Sequence, residues 1–320
     1  MRKKHKRFLS LLTGTVVFVC AFLITVSEYF PIPGVPSWSE LSGKVSPRGG
    51  GTSLTEAVEG DVSVHFIDVG QGDSILIRTG EKTLLIDAGE NGRGEDVLTY
   101  LKEQGISKLD FAIGTHPHSD HIGGLDEVMQ AVEVDMLLMP YIPQETIPTT
   151  KAYEEVMLTA LEQGVQVQEA SAGETFALAD GVTLSILGPV REYEDLNNFS
   201  VVAKLEYGKA SFLFTGDAET QAEEDLIAQY GEKLDSDVLK LGHHGSSTST
   251  SRAFLEAVSP QYAVICCGKD NSYGHPHKET LELLWAFSTP YYTTEQNGSV
   301  VFTTDGERIG VVVQRGEVQG

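Results

Sequence analysis

From Asp61 onward, apolar residues occur in short runs of four to eight, broken by glycine-bearing turns. That spacing predicts strands rather than long helices. VSVHFIDVG, SILIRTG and KTLLIDAG read as a three-strand meander, followed by an amphipathic helix over 95–104. The apolar run LDFAIGTH predicts a strand ending in histidine, residues 123–132 a helix, VDMLLMP a strand, and residues 151–163 a second long helix. Short strands are expected in 165–188. SVVAKLEYG and ASFLFTGD form a hairpin around Gly208, and an acidic helix follows over 219–230. SDVLKLGHHG and YAVICCG read as strands, 278–287 as a helix, and 290–314 as closing strands. Strands followed by helices, twice over, predict two sheets flanked by helices.

The N-terminus has a different pattern. Arg2, Lys3, Lys4, Lys6 and Arg7 precede an uncharged apolar run from Phe8 to Val26, long enough to cross a bilayer as a helix. The positive flank places the residues after Ser27 outside the cytoplasm. Both a cleaved signal and a retained anchor fit this run, and the lack of a small-residue cleavage pattern favours the anchor. The expected organisation is a transmembrane signal anchor over 1–30, a flexible linker over 31–60 containing PIPGVP and SPRGGGTS, and one catalytic-sized domain over 61–320. The domain is strongly acidic. Five of the 23 basic residues precede Ser27, so the remainder carries 18 against 46 acidic, a net charge of −28. Such a body has no global attraction for nucleic acid, although a local basic strip built from Lys204, Lys209, Lys240, Arg252, Lys269 or Lys278 stays open. Three cysteines, two of them adjacent, provide no disulfide framework.

The densest chemistry is Thr115-His116-Pro117-His118-Ser119-Asp120-His121, directly after an apolar strand. Residues two apart on extended chain point the same way, and Pro117 keeps the start of the segment extended, so His116 and His118 can share one metal. Asp120 and His121 fall beyond the strand, where a turn can aim them at a second. Asp217 ends SFLFTGD, where a carboxylate can bridge two cations. His243 and His244 follow DVLKLG. Strand alternation lets only one of them ligate, which favours His244 for the second metal and leaves His243 to substrate. Asp87 is expected to orient a ligand histidine. Asp68 and Asp73 read as structural residues, and His65 as a packing residue. His275 and His277 flank Pro276; His275 is expected to touch phosphate or the leaving group.

Phe66-Ile67-Asp68-Val69-Gly70-Gln71-Gly72-Asp73-Ser74, Leu85-Ile86-Asp87-Ala88-Gly89, the HxHxDH run, Phe214-Thr215-Gly216-Asp217, His243-His244-Gly245-Ser246 and Gly274-His275-Pro276-His277 occur together in this order. The set resembles the metallo-β-lactamase superfamily, and within it the hydrolase domain of the ComEC-type competence proteins, over about residues 62–314. The resemblance implies an αββα sandwich and hydrolysis with two divalent ions, zinc or manganese. Many members of the superfamily supply a third histidine to the first metal between the HxHxDH run and the bridging aspartate. This chain has no histidine there. Asn197-Asn198-Phe199-Ser200 takes the place, with Asn198 or Ser200 expected to line the site. Asp120, His243 and His275 are the catalytic candidates. A phosphodiester suits two cations, whether in DNA or in a choline-bearing wall polymer. Lactam or lactone hydrolysis, and a non-catalytic role in a surface assembly, are the rival readings.

Overall fold

The structure is a computed structural model and describes residues 60–316. The apolar span over 8–26 and the linker lie outside the described residues. Among those residues, no helix is long and apolar enough to cross a membrane.

Two mixed sheets lie face to face. The first contains β1 (Val62–Phe66), β2 (Ile75–Arg78), β3 (Thr83–Ile86), β4 (Lys108–Ile113), β5 (Glu133–Met139), β6 (Gln166–Glu169), β14 (Val300–Thr304) and β15 (Ile309–Val313), in the order β15-β14-β1-β2-β3-β4-β5-β6. The second contains β7 (Thr175–Ala179), β8 (Val182–Gly188), β9 (Val202–Tyr207), β10 (Ala210–Phe214), β11 (Val238–Lys240), β12 (Tyr262–Ile265) and β13 (Tyr291–Thr293), in the order β13-β12-β11-β10-β9-β8-β7. Helices α1 (Gly94–Glu103), α2 (Ser119–Ile122), α3 (Leu125–Ala131) and α4 (Lys151–Gln163) belong with the first sheet; α5 (Thr220–Tyr230), α6 (Arg252–Val258), α7 (Lys278–Phe287) and α8 (Thr294–Asn297) belong with the second.

Strand alternation builds three apolar layers. Ile75 and Ile77, Leu84 and Ile86, and Phe212 and Phe214 point between the sheets, where they meet Phe66, Phe302 and Tyr292. Leu76 and Leu85 point the other way, against Val97 and Leu101 of α1 and Val128 of α3. Leu213 and Leu239 point outward from the second sheet against Leu226 of α5 and Phe254 of α6. Strands covered on both faces read as unbroken apolar runs, which is why LLI and FLF were legible as strands. The layers are therefore helix, sheet, sheet, helix. Helices α4 and α7 occupy the ranges expected of them. The expected 123–132 helix is shorter, and Ser119 starts a separate one-turn helix, α2. His65 is 4% exposed and bonded through its two ring nitrogens to Tyr100 and Ser63.

Parallel pairing of β3 with β4 and of β10 with β11 and β12 brings their C-terminal ends to one edge of the sandwich. Loops leaving those ends converge there, as at the carboxyl edge of open α/β sheets.

Candidate metal centre

The centre is assembled from strand ends. Just past β4, Thr115 donates from its backbone N–H (2.8 Å) and its hydroxyl (2.7 Å) to the two oxygens of Asp87. Asp87 has a φ of +57° beyond β3, so this carboxylate is turned out of the sheet toward the histidines. Its Oδ2 also lies 2.8 Å from His121 Nδ1. Asp120 and His121 both sit on α2. Gly72 lets the neighbouring chain come close: a Cβ there would run into the Asp120 carbonyl oxygen, which accepts from the Asp73 N–H at 3.1 Å.

Hydrogen bonds fix which ring nitrogen faces the centre. His121 Nδ1–H donates to Asp87, and His244 Nδ1–H donates to the Cys266 carbonyl at 2.9 Å. The two Nε2 atoms therefore face the centre, where they stand 3.2 Å apart and would offer their lone pairs to a cation once the rings are neutral. Asp120 Oδ2 lies 3.2 Å from His244 Nε2, and the Asp217 oxygens lie 3.1 Å from His121 Nε2 and 3.5 Å from His244 Nε2. Asp217 Oδ1 is buried, yet no hydrogen bond of acceptable geometry reaches it. Two nitrogens and two carboxylates converging on one point, with an orphaned oxygen among them, fit a divalent cation. The electrostatics agree. Burial opposes charge at every one of these groups. Even so, Asp217 and Asp87 hold the His121 ring protonated well above its usual range, and Asp217, Asp120 and Asp73 push His244 up to about 9. Burial likewise resists ionisation of Asp217, but the facing histidines keep it charged. The carboxylates are drawing positive charge into the place a metal would occupy.

The other half of the centre is more open. His116 Nε2 lies 3.0 Å from His118 Nδ1 and 3.9 Å from Asp217 Oδ2. His116 is fully buried, which with the nearby His121 charge keeps it neutral. Ser200 Oγ sits 3.3 Å from His116 Nδ1 and accepts from the Asp217 N–H at 2.9 Å, tying the two together. Asn198 does not line the site. Its side chain accepts from the backbone of Glu219 and Ala222 at the start of α5, while Asn197 faces the cleft. His243 and His244 are not on a strand; they lie in a tight turn past β11 with φ of 49° and 54°. Strand alternation therefore does not separate them. Both rings turn inward, and His243 Nε2 comes within 3.8 Å of Asp217 Oδ2 while its Nδ1 is 3.2 Å from Glu219.

Beneath the centre lies a buried ion pair that sequence reasoning missed. The Lys240 ammonium contacts Asp73 Oδ2, donates to the Gly216 carbonyl at 3.0 Å, and lies 4.0 Å from Asp217 Oδ1. Lys240 is 0% exposed and Asp73 1%. Burial works against both charges, and their mutual attraction overcomes it. Asp73, His121, Asp217 and His244 bring ligand-type atoms within 4.8 Å of one another. Proximity alone would make Asp73 a ligand, but it faces the Nδ1 atoms, at 3.8 Å from His121 and 3.4 Å from His244. It braces the rings from behind.

The sequence profile of the metallo-β-lactamase superfamily matches residues 67–269. The chain belongs to the metallo-β-lactamase superfamily. Within that superfamily it falls with the competence proteins. It is 34% identical to the "ComE operon protein 3" of Bacillus subtilis over 75% of this chain and 32% of that protein. It is also 34% identical to the "Competence protein ComA" of Neisseria gonorrhoeae, over 94% of this chain and 40% of that protein. To the "Recombination protein 2" of Haemophilus influenzae it is 32% identical, over 74% and 28%. The chain thus spans about a third of the length of these relatives.

This metallo-β-lactamase-fold centre opens into a cleft of about 390 Å³ lined by Gln71, His118, Asp120, Asn197, Tyr273 and His275, among others. His275 is 8% exposed, and its buried Nδ1 has no hydrogen-bond partner. Burial and the rings of His244 and His243 push its pKa down to about 4. His277 is turned away, with its Nδ1 accepting from Ser247. The basic strip left open by the sequence is not assembled around the metals. Lys240 is buried, Lys204 is bonded to the carbonyls of Lys233 and Asp235, Lys209, Arg252 and Lys278 pair with Glu307, Glu256 and Glu282, and Lys269 is exposed past β12 and not among the residues lining the cleft. Lys151 is the lysine among the residues lining the cleft, and it too is paired, with Glu155 at 2.8 Å.

Proposed function

We propose that this superfamily hydrolase is an extracytoplasmic metal-dependent phosphodiesterase. The observation that carries the reading is the inward convergence of His121 Nε2 and His244 Nε2 on Asp120 and Asp217, with His116 near the same Asp217 carboxylate and His118 against His116. One cation would be held by Asp120, His121, Asp217 and His244, and the other by His116, His118 and Asp217, with His243 on its open side. Zinc or manganese suits these nitrogen and oxygen donors. Bound there, two such ions polarise a phosphoryl oxygen and acidify a water.

The chain's own groups do the rest. The Asp120 side chain is 23% exposed against 3% for Asp217, so Asp120 is the carboxylate able to reach and orient a water. Burial opposes its charge, yet His244 and His121 keep it ionised. His275, held neutral, is placed to hydrogen-bond a phosphoryl or leaving-group oxygen. Relatives named for competence and recombination make DNA the first phosphodiester to test and a wall polymer the second. Lactam hydrolysis is less well served, because no histidine stands between His121 and His243.

The deciding assay supplies zinc or manganese to the purified protein and offers single-stranded DNA, bis-p-nitrophenyl phosphate, a phosphorylcholine ester and nitrocefin. Turnover of phosphodiesters without nitrocefin is expected; nitrocefin turnover alone overturns the reading. The extracytoplasmic placement rests on the basic N-terminus and the apolar span. Protease added to intact protoplasts should shave off the domain, and a protected domain reverses the orientation.

A further inference from the structure

Tyr273 is 61% exposed although it belongs to the lining of the metal cleft. One face of its ring is covered: it stacks on His275 with centroids 5.6 Å apart and planes 18° from parallel. His275 in turn stands 5.3 Å from the His243 ring and 6.1 Å from the His244 ring. The aromatic series therefore runs outward from the metal centre, and Tyr273 forms its outer end.

The segment carrying Tyr273 is tied down. The Tyr273 carbonyl accepts from His277 Nε2 at 3.3 Å, while His277 Nδ1 accepts from the Ser247 N–H at 2.9 Å. Asn271 donates to the carbonyls of Gly268 and His275 at 2.9 and 2.6 Å and accepts from the His275 N–H at 3.0 Å. A large flat ring held rigid in water, with one face free, has no packing role. It does suit a flat partner, which can stack on it without an ordering cost.

We propose that Tyr273 is the stacking platform for one unpaired nucleobase whose phosphodiester lies at the metals, which makes a single strand or strand end the substrate. This rests on the phosphodiesterase reading. The cleft, at about 390 Å³, is of a size for one nucleotide unit and supplies one peripheral cation, Lys151, rather than a groove of them. Stacking tolerates any base and needs little backbone charge, which a body this acidic cannot supply. A choline headgroup, the other occupant a wall polymer would bring, is better held by several aromatic faces around the cation. Here one face of one ring is offered.

Three esters with the same p-nitrophenolate leaving group test the platform on the metal-loaded full chain: thymidine 5′-(p-nitrophenyl phosphate), ethyl p-nitrophenyl phosphate and p-nitrophenylphosphorylcholine. The expected kcat/KM ratio of thymidine to ethyl ester is on the order of ten or more, the range of one base–aromatic stack. Tyr273→Ala should bring that ratio close to one, and Tyr273→Trp should preserve it. A wild-type ratio near one, a ratio unmoved by Tyr273→Ala, or a choline ester preferred over the thymidine ester overturns the proposal. A second readout is independent of turnover: thymidine 5′-monophosphate should quench the added fluorescence of Tyr273→Trp relative to wild type. If quenching occurs but no ester is cleaved, the base site stands and the phosphodiesterase reading falls. Absence of quenching removes the base site.

Discussion

Asp217→Ala is expected to lower kcat/KM for bis-p-nitrophenyl phosphate by about a thousandfold or more, because this carboxylate serves both halves of the centre. Its Oδ1 lies 3.1 Å from His121 Nε2, and its Oδ2 lies 3.9, 3.8 and 3.5 Å from the Nε2 atoms of His116, His243 and His244. Without it the two ligand sets would lose the one anion they share, the repulsion between two bound cations would go unopposed, and several kcal/mol of transition-state stabilisation would go with it. The fold should persist. Asp217 caps no helix, its backbone N–H is held by Ser200, and its side chain belongs to none of the apolar layers. Circular dichroism should therefore match wild type while turnover is lost. Activity within tenfold of wild type under limiting metal would show that Asp217 bridges nothing.

The second large effect is on stability. Lys240→Met should cost about 3–5 kcal/mol, the range for stripping the partner from a buried charge. Asp73 is 1% exposed and would keep its carboxylate with no neighbouring ammonium. Adding Asp73→Asn should recover part of the loss, since it removes the unpaired buried charge and leaves only a neutral amide to be hydrogen-bonded. Urea denaturation of the metal-free protein measures both variants; because the pKa of His244 beside Asp73 is pushed up to about 9, the full cost is expected on the alkaline side of that value, and a smaller one at about pH 8 where the ring is still protonated. A loss below about 1 kcal/mol for Lys240→Met would mean that water or a histidine proton already balances Asp73.

Much of this was legible in the sequence for physical reasons that can be named. Ile75–Ile77, Leu84–Ile86 and Phe212–Phe214 are covered on both faces, so they stand out as apolar runs. Six residues of the centre lie in one heptapeptide or a few positions past an obvious strand, and polar side chains packed so densely after an apolar strand have few other uses. The parts that escaped depend on backbone sign or on distance along the chain. Consecutive left-handed residues at His243 and His244 swing two rings inward that strand alternation would separate. The Asp73–Lys240 pair joins residues far apart in the chain, and each alone looks like an ordinary turn acid or a surface base. Asn197 and Asn198 exchange roles because a short 3₁₀ turn over Leu196–Phe199 rotates one amide into the cleft and the other under α5. Tyr273 had no signal beyond lying near His275, because exposure of a ring is a tertiary property.

The metal content of the undialysed, tag-free protein, determined by elemental analysis against protein concentration, tests the central claim most directly. The arrangement of His116, His118, Asp120, His121, Asp217 and His244 predicts two divalent transition-metal ions per chain. Brief exposure to chelator should remove first the one held by His116 and His118, which has fewer protein donors. A preparation with no bound transition metal, and none taken up on reconstitution with zinc or manganese, would contradict the account.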